Sequence, residues 1–242
     1  MPAAAAAATS AAYDARRGAL EAYFDRTAAD AWARLTSDAP VSGIRATVRA
    51  GRDAMRATLL SWLPDDLGGA RVLDAGCGTG ALAVVAAARG ADVLAADLSP
   101  TLLGLAAERA AGHVVSGRVE YRAGDMLAVA REAGPFDHVV AMDSLIHYRA
   151  TDIASAAAVL ASSARRSVVF TVAPWTPALG AMHAVGRLFP RADRAPAVEP
   201  VREAALRRRL AAEPGLEGWA VARSRRVSRG FYISQALELV PR

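Results

Sequence analysis

The sequence predicts an α/β protein: a mostly parallel seven-stranded sheet whose last strand is reversed, with a helical cap ahead of it. Three observations carry this. From Ala70 onward, short apolar runs alternate with helix-patterned segments, the order that builds a parallel sheet with helices on both faces. The first run leads into the glycine-rich stretch VLDAGCGTG, Val72 to Gly80, as a strand-to-helix turn requires. The last two runs are joined tightly at SRG, which folds them into a hairpin and sets one strand against the others.

The elements follow in order. MPAAAAAATSAA lacks the basic leader of a signal peptide and reads as a low-complexity, disordered arm over residues 1–12. Segments 13–35 and 44–63 repeat apolar residues at three- and four-residue spacing and predict two helices, a cap over 13–65, with the turn-forming SDAPVSG between them. Within 66–242 the strands are RVLDA, DVLAAD, RVEYRA, FDHVVAM and SVVFTVA, with helices over 81–89, 100–110 and 153–161. Four prolines, at 174, 177, 190 and 196, then break the rhythm around the helix-like LGAMHAVGRLF. The stretch 174–212, which also holds a helix over 203–212, therefore reads as a lid-like insertion. The hairpin strands cover 219–227 and 231–240.

Composition narrows the function. With 242 residues and 53% apolar content the chain can bury a large core. The net charge of +5 comes from arginine alone, since the sequence contains no lysine. The arginines are scattered and lack interleaved aromatic residues, which argues against nucleic acid as a partner. A single cysteine, Cys77, excludes an internal disulfide and suits a cytoplasmic setting, and no Cys/His spacing suggests a resident metal. Residues 167–186 carry no charge, but Pro174, Pro177 and His183 interrupt them, so they read as a buried strand and a following segment instead of a membrane span.

The glycine loop has the spacing Gly76, Gly78, Gly80, not the G-x-G-x-x-G that seats a pyrophosphate on a helix N-terminus. Asp74 just before it would repel a pyrophosphate but attract a cationic amino-acid end. Asp97 ends the second strand, 21 residues after Gly76 (97 − 76), where a carboxylate can accept ribose hydroxyls. After the third strand, AGDML places Asp125 for an adenine amino group and Met126 against its ring. Each acid alone could be a strand-end turn residue, as Asp often is. Three at successive strand ends point to a nucleoside with an amino-acid tail.

Through LDAGCGTG, AADLSP and AGDM the chain resembles the class I, Rossmann-like methyltransferases that use S-adenosylmethionine. The resemblance implies that cofactor, a transferred methyl group, and cofactor contacts from Asp74, Gly76, Cys77, Gly78, Gly80, Asp97, Leu98, Asp125, Met126 and Met142.

The fourth strand ends in AMDSLIHY, without the Asn/Asp-Pro-Pro-aromatic grip of enzymes that methylate nitrogen. It offers Asp143, His147 and Tyr148 instead. The segments YFDRTAADAWARLTSDAPVS, FTVAPWTPALGAMHAVGRLFPRADRAPAVEPV and GFYISQALELV are similar to the magnesium protoporphyrin IX methyltransferase family of bacteriochlorophyll biosynthesis. That resemblance implies esterification of one propionate of magnesium protoporphyrin, with Tyr23 and His147 as the catalytic pair. It also implies collaboration with the magnesium chelatase large subunit and at most peripheral contact with the photosynthetic membrane. Trp175, Leu179, Met182, His183 and Phe189 in the insertion are candidates for the porphyrin face, with His183 also a candidate for its magnesium, and Arg187, Arg191 or Arg202 for the second propionate. Another small-molecule carboxyl or hydroxyl O-methyltransferase, or a regulator that binds the cofactor without turnover, are the alternatives.

Overall fold

The computed structural model describes residues 10–26, 43–113, 116–176 and 198–242. Their elements are α1 (Ala11–Arg26), α2 (Gly43–Leu60), β1 (Arg71–Ala75), α3 (Ala81–Ala88), β2 (Asp92–Asp97), α4 (Pro100–Ala110), β3 (Arg118–Ala123), α5 (Met126–Ala133), β4 (Phe136–Ala141), a 3₁₀ turn (Leu145–His147), α6 (Ala150–Ser162), β5 (Ala164–Val172), α7 (Glu203–Ala212), β6 (Trp219–Arg229) and β7 (Tyr232–Pro241). The strand order is β3-β2-β1-β4-β5-β7-β6. β7 enters antiparallel between β5 and β6, so the reversed strand is the last one, as the tight SRG junction predicts.

Alternation along the strands splits the core in two. Leu73, Val139, Val168 and Phe170 face a layer with α5, α6 and α7, whereas Val72, Val93, Val140 and Val169 face α2 and α3. α2 buries Gly51, Met55, Thr58, Leu59 and Leu60 along one face, the spacing that lets an arginine-rich helix dock. α7, inside the stretch read from sequence as an insertion, buries Leu206 and Leu210 in the first layer. Helix starts are capped where the sequence offers a cap. Ser99 accepts from the Leu102 N–H ahead of α4, with Pro100 in its first turn. Asp125 accepts from the Leu127 and Ala128 N–H groups ahead of α5.

α5 is an element that sequence patterning passes over. It has only eight residues, too few for a helical period to stand out between RVEYRA and FDHVVAM. β5 begins at Ala164, three residues before the expected Ser167, because Arg165 and Arg166 are tolerated at its exposed end. α6 likewise begins at Ala150, a turn before the expected start. The alanine arm up to residue 9, residues 27–35 of the first cap helix and most of the insertion lie outside the described residues. Among the described residues no helix is long and apolar enough to cross a membrane.

Candidate active site

The carboxyl ends of β1, β2, β3 and β4 open into one crevice, the place where an open α/β sheet receives its ligand. Asp74, Gly76, Cys77, Gly78, Asp97, Leu98, Asp125, Met126, Met142 and His147 all line it. Gly80 does not. It turns the chain into α3 at φ +75°, and a Cβ there would press on Ala106 and the Tyr121 hydroxyl at 3.0 and 3.2 Å.

The glycine loop is held from below. The Gly76 and Cys77 N–H groups donate to the Ala96 carbonyl at 2.8 and 3.0 Å, and the Gly78 N–H donates to Asp97 Oδ2 at 2.8 Å. Asp97 Oδ1 accepts from the Ser99 N–H at 3.0 Å, so this carboxylate is fixed in direction before any ligand arrives. Gly76 (φ +82°) must be glycine on two grounds: the left-handed backbone, and a Cβ that would stand 2.6 Å from the Ser144 Cβ.

Asp74 is buried, and its Oδ2 has no hydrogen-bond partner among the described residues. Burial first and the Asp97 charge second push its carboxyl up to about 7. A buried carboxylate left in this state calls for a cationic partner. The residues therefore fit the zwitterionic end and ribose of S-adenosylmethionine. Burial also pushes the Cys77 thiol up, so this free cysteine is no thiolate nucleophile at neutral pH.

His147 is buried on the 3₁₀ turn and lines both the crevice and a second hollow formed with Ala12, Ala15, Arg16 and Ala19 of α1, Tyr148, Arg149 and Asp152. Tyr23 is half-buried on α1 and lines neither. It lies ten residues beyond Tyr13, about 15 Å along the helix. Trp175 is 41% exposed, with the Arg202 guanidinium 4.2 Å over its ring, and lines neither cavity. Leu179, Met182, His183, Phe189, Arg187 and Arg191 lie outside the described residues. The two stems of the insertion do meet beside the 3₁₀ turn. Trp175 N–H donates to the Val201 carbonyl, and Glu199 N–H donates to the Ile146 carbonyl, one residue from His147.

Several crevice residues escape sequence reading. Tyr13 stacks on Tyr148 with ring centres 4.7 Å apart, and its hydroxyl donates to Asp125 Oδ2 at 3.0 Å. Arg49, Arg52 and Arg56 line one wall from α2. Their spacing, three and then four residues, was visible as one helical face. His138 is buried against the Ser167 hydroxyl and His113 is exposed, both away from the crevice.

Known proteins agree with this geometry. A model described as magnesium-protoporphyrin IX methyltransferase C-terminus matches residues 141–241, and a methyltransferase domain model matches 72–166. Magnesium-protoporphyrin O-methyltransferase of Rhodobacter capsulatus is 50% identical over 93% of this chain and 96% of its own length. That of Synechocystis sp. is 32% identical over 90% and 93%. The crystal structure of magnesium protoporphyrin IX methyltransferase from Synechocystis PCC 6803 with bound SAH superposes with a TM-score of 0.77 at 31% identity, covering 93% of this chain and 99% of that one. The chain belongs to the magnesium-protoporphyrin IX methyltransferase family of S-adenosylmethionine-dependent O-methyltransferases.

Proposed function

We propose that the protein transfers the methyl group of S-adenosylmethionine to a propionate carboxylate of magnesium protoporphyrin IX, giving the monomethyl ester used in bacteriochlorophyll biosynthesis. The observation that carries this reading is the single crevice joining an unpartnered Asp74 oxygen and the glycine loop to His147. When bound, the cofactor supplies a methyl carbon on a cationic sulfur. The protein's residues do the rest. Asp74 would face the ammonium, Asp97 would accept from the ribose, and Asp125 and Met126 would meet the adenine. A propionate with a carboxyl pKa of about 4 to 5, by analogy with Glu, is already ionised at neutral pH. No residue therefore has to remove a proton. His147, with Tyr23 from the family resemblance, donates hydrogen bonds that orient the carboxylate, and a site closed to water brings the reactants into line. The magnesium belongs to the substrate. Collaboration with the magnesium chelatase large subunit, a cytoplasmic setting and at most peripheral contact with the photosynthetic membrane complete the reading.

The test is incubation of the protein with methyl-labelled S-adenosylmethionine and magnesium protoporphyrin. Label in a porphyrin monomethyl ester is expected. A folded protein that binds the cofactor and labels only other acids or hydroxyls would point to a different acceptor.

Two further outcomes follow from the cradle. Asp97→Ala should weaken cofactor binding by roughly 1.5 to 3 kcal/mol, the loss expected for charged hydrogen bonds. Calorimetry on the folded variant reads it, and unchanged affinity would remove Asp97 from the site. Asp74 makes binding depend on pH, since protonation near 7 removes its attraction for an ammonium. Affinity should fall as pH drops from about 7.5 to 5.5, a window set around that value. The linked effect on folding has the opposite sense. A carboxyl raised above its unfolded value contributes stability that is present in acid and lost as pH rises through about 7. Asp74→Asn should therefore flatten the pH dependence of binding and raise the Tm of the unliganded protein at alkaline pH. A parallel slope in the variant would clear Asp74 of both roles.

A further inference from the structure

Asp143 stands two residues past β4 with φ +56°, the one non-glycine residue with a positive φ among the described residues. A non-glycine residue in that region is strained, and it stays there only where its surroundings over-determine it. Here they do. Asp143 Oδ2 accepts from Arg52 Nη1 of α2 at 2.6 Å, and Oδ1 accepts from the Tyr232 hydroxyl of β7 at 2.9 Å and the Thr171 hydroxyl of β5 at 3.2 Å. Its own N–H donates to Thr171 Oγ1 at 2.7 Å. The carboxylate's side chain is only 5% exposed, so a charge has been buried and answered by groups from three separate elements. α2 seats directly on this hub, since a Cβ at Gly51 would meet the Tyr232 Cβ at 2.5 Å and its ring at 2.6 Å.

The backbone so fixed is the seam of the active site. Met142, Asp143 and Ser144 all line the crevice. On one side, the Ser144 hydroxyl donates to the Ala75 carbonyl at 2.9 Å, and its Cβ is the atom that a side chain at Gly76 would strike. On the other side, Ser144 opens the 3₁₀ turn that ends in His147. Glycine loop and histidine are thus held in mutual register through three residues, and those three are held by Asp143. Reactions that rely on alignment lose about 100-fold in rate for a misplacement of about 1 Å.

From this geometry we infer that Asp143 is the positioning residue of the methyl-transfer site, acting through the backbone of residues 142–147 on the distance between bound cofactor and His147. The inference rests on the proposed function and deepens it. Asp143→Asn keeps the shape and loses the charge. Asp143→Gly relaxes the backbone and loses the hub. Both should lower the single-turnover rate with magnesium protoporphyrin about 10- to 100-fold while cofactor affinity changes less than about three-fold. Tyr232→Phe, which keeps the ring against Gly51 and removes one donor, should lower the rate in the same direction by less.

A wild-type rate in Asp143→Gly would mean that the position needs only its backbone conformation, and would overturn the inference. So would an equal loss of rate and cofactor affinity, or a loss of Tm with an unchanged rate per folded molecule. If the Asp143 variants do not fold, an unchanged rate in Tyr232→Phe overturns it instead. The imidazole NMR signals of His147 give a readout that needs no turnover. They should shift in all folded variants, and constancy would refute the inference even if the wild-type acceptor proved to be another acid.

Discussion

Gly76→Ala is expected to weaken S-adenosylmethionine binding about 30-fold or more. The backbone at φ +82° costs an L-residue roughly 1 to 2 kcal/mol. A methyl group placed 2.6 Å from the Ser144 Cβ adds roughly 1 to 3 kcal/mol of overpacking. Neither strain can be relieved cheaply, because the Ser144 side chain is tied to the Ala75 carbonyl and the Gly76 N–H to the Ala96 carbonyl. The penalty divides between the fold and the ligand site, so calorimetry with the cofactor should be paired with thermal unfolding. Wild-type values in both measurements would show that the loop has more room than these distances allow.

His147→Phe and Tyr23→Phe should slow the methyl-transfer step on the order of 10- to 1,000-fold with cofactor affinity nearly unchanged, since one orienting hydrogen bond carries part of the barrier. The pH profile separates orientation from proton removal. An orienting group leaves a residual rate that is nearly flat above the substrate's carboxyl pKa, whereas loss of a general base leaves a rate that climbs as hydroxide takes over. Single-turnover rates between about pH 6 and 9 decide between them. A steep rise in His147→Phe would reassign it as a base. The two variants test different warrants: His147 forms part of the crevice wall, while Tyr23 stands on α1 outside both cavities and rests on the family resemblance. A wild-type rate in Tyr23→Phe would withdraw that carry-over and leave His147 untouched.

Local patterning made the sheet legible because each strand is a short apolar run bounded by its own turn residues, and β1, β2 and β3 fall where RVLDA, DVLAAD and RVEYRA place them. The crevice was legible for the same reason: Asp74 and Asp97 stand at the carboxyl ends of β1 and β2 and Asp125 two residues past β3, and all three line it. What stayed hidden is non-local. Asp143 gathers Arg52 from 91 residues before it and Thr171 and Tyr232 from 28 and 89 residues after it, and no spacing rule links them. Tyr13 was concealed by its place in the first turn of an alanine-rich helix, although it is buried and bonded across 112 residues to Asp125. The arginines of α2 are part of a charge scattered along the whole sequence, and only the docking of Gly51 on Tyr232 turns one of their faces toward the crevice.

α1 lies across the strand ends as a strap. It is tied by the Ser10 hydroxyl to Asp152, by Tyr13 to Asp125, by Arg16 to Glu199, and by Asp25 to the hydroxyls of Ser99 and Thr101. The outer ties are exposed or half-buried and hold by about 1 kcal/mol each, whereas Tyr13, buried and stacked on Tyr148, is the firmer anchor. Tyr13 and Leu20 on this strap form part of the crevice wall. The consequence is kinetic. If α1 lifts for the cofactor to pass, exchange of spent for fresh cofactor is expected to follow release of these ties, in a fixed sequence of arrivals and departures. The residence time of the cofactor is then expected to depend on ionic strength through the half-exposed Arg16–Glu199 pair.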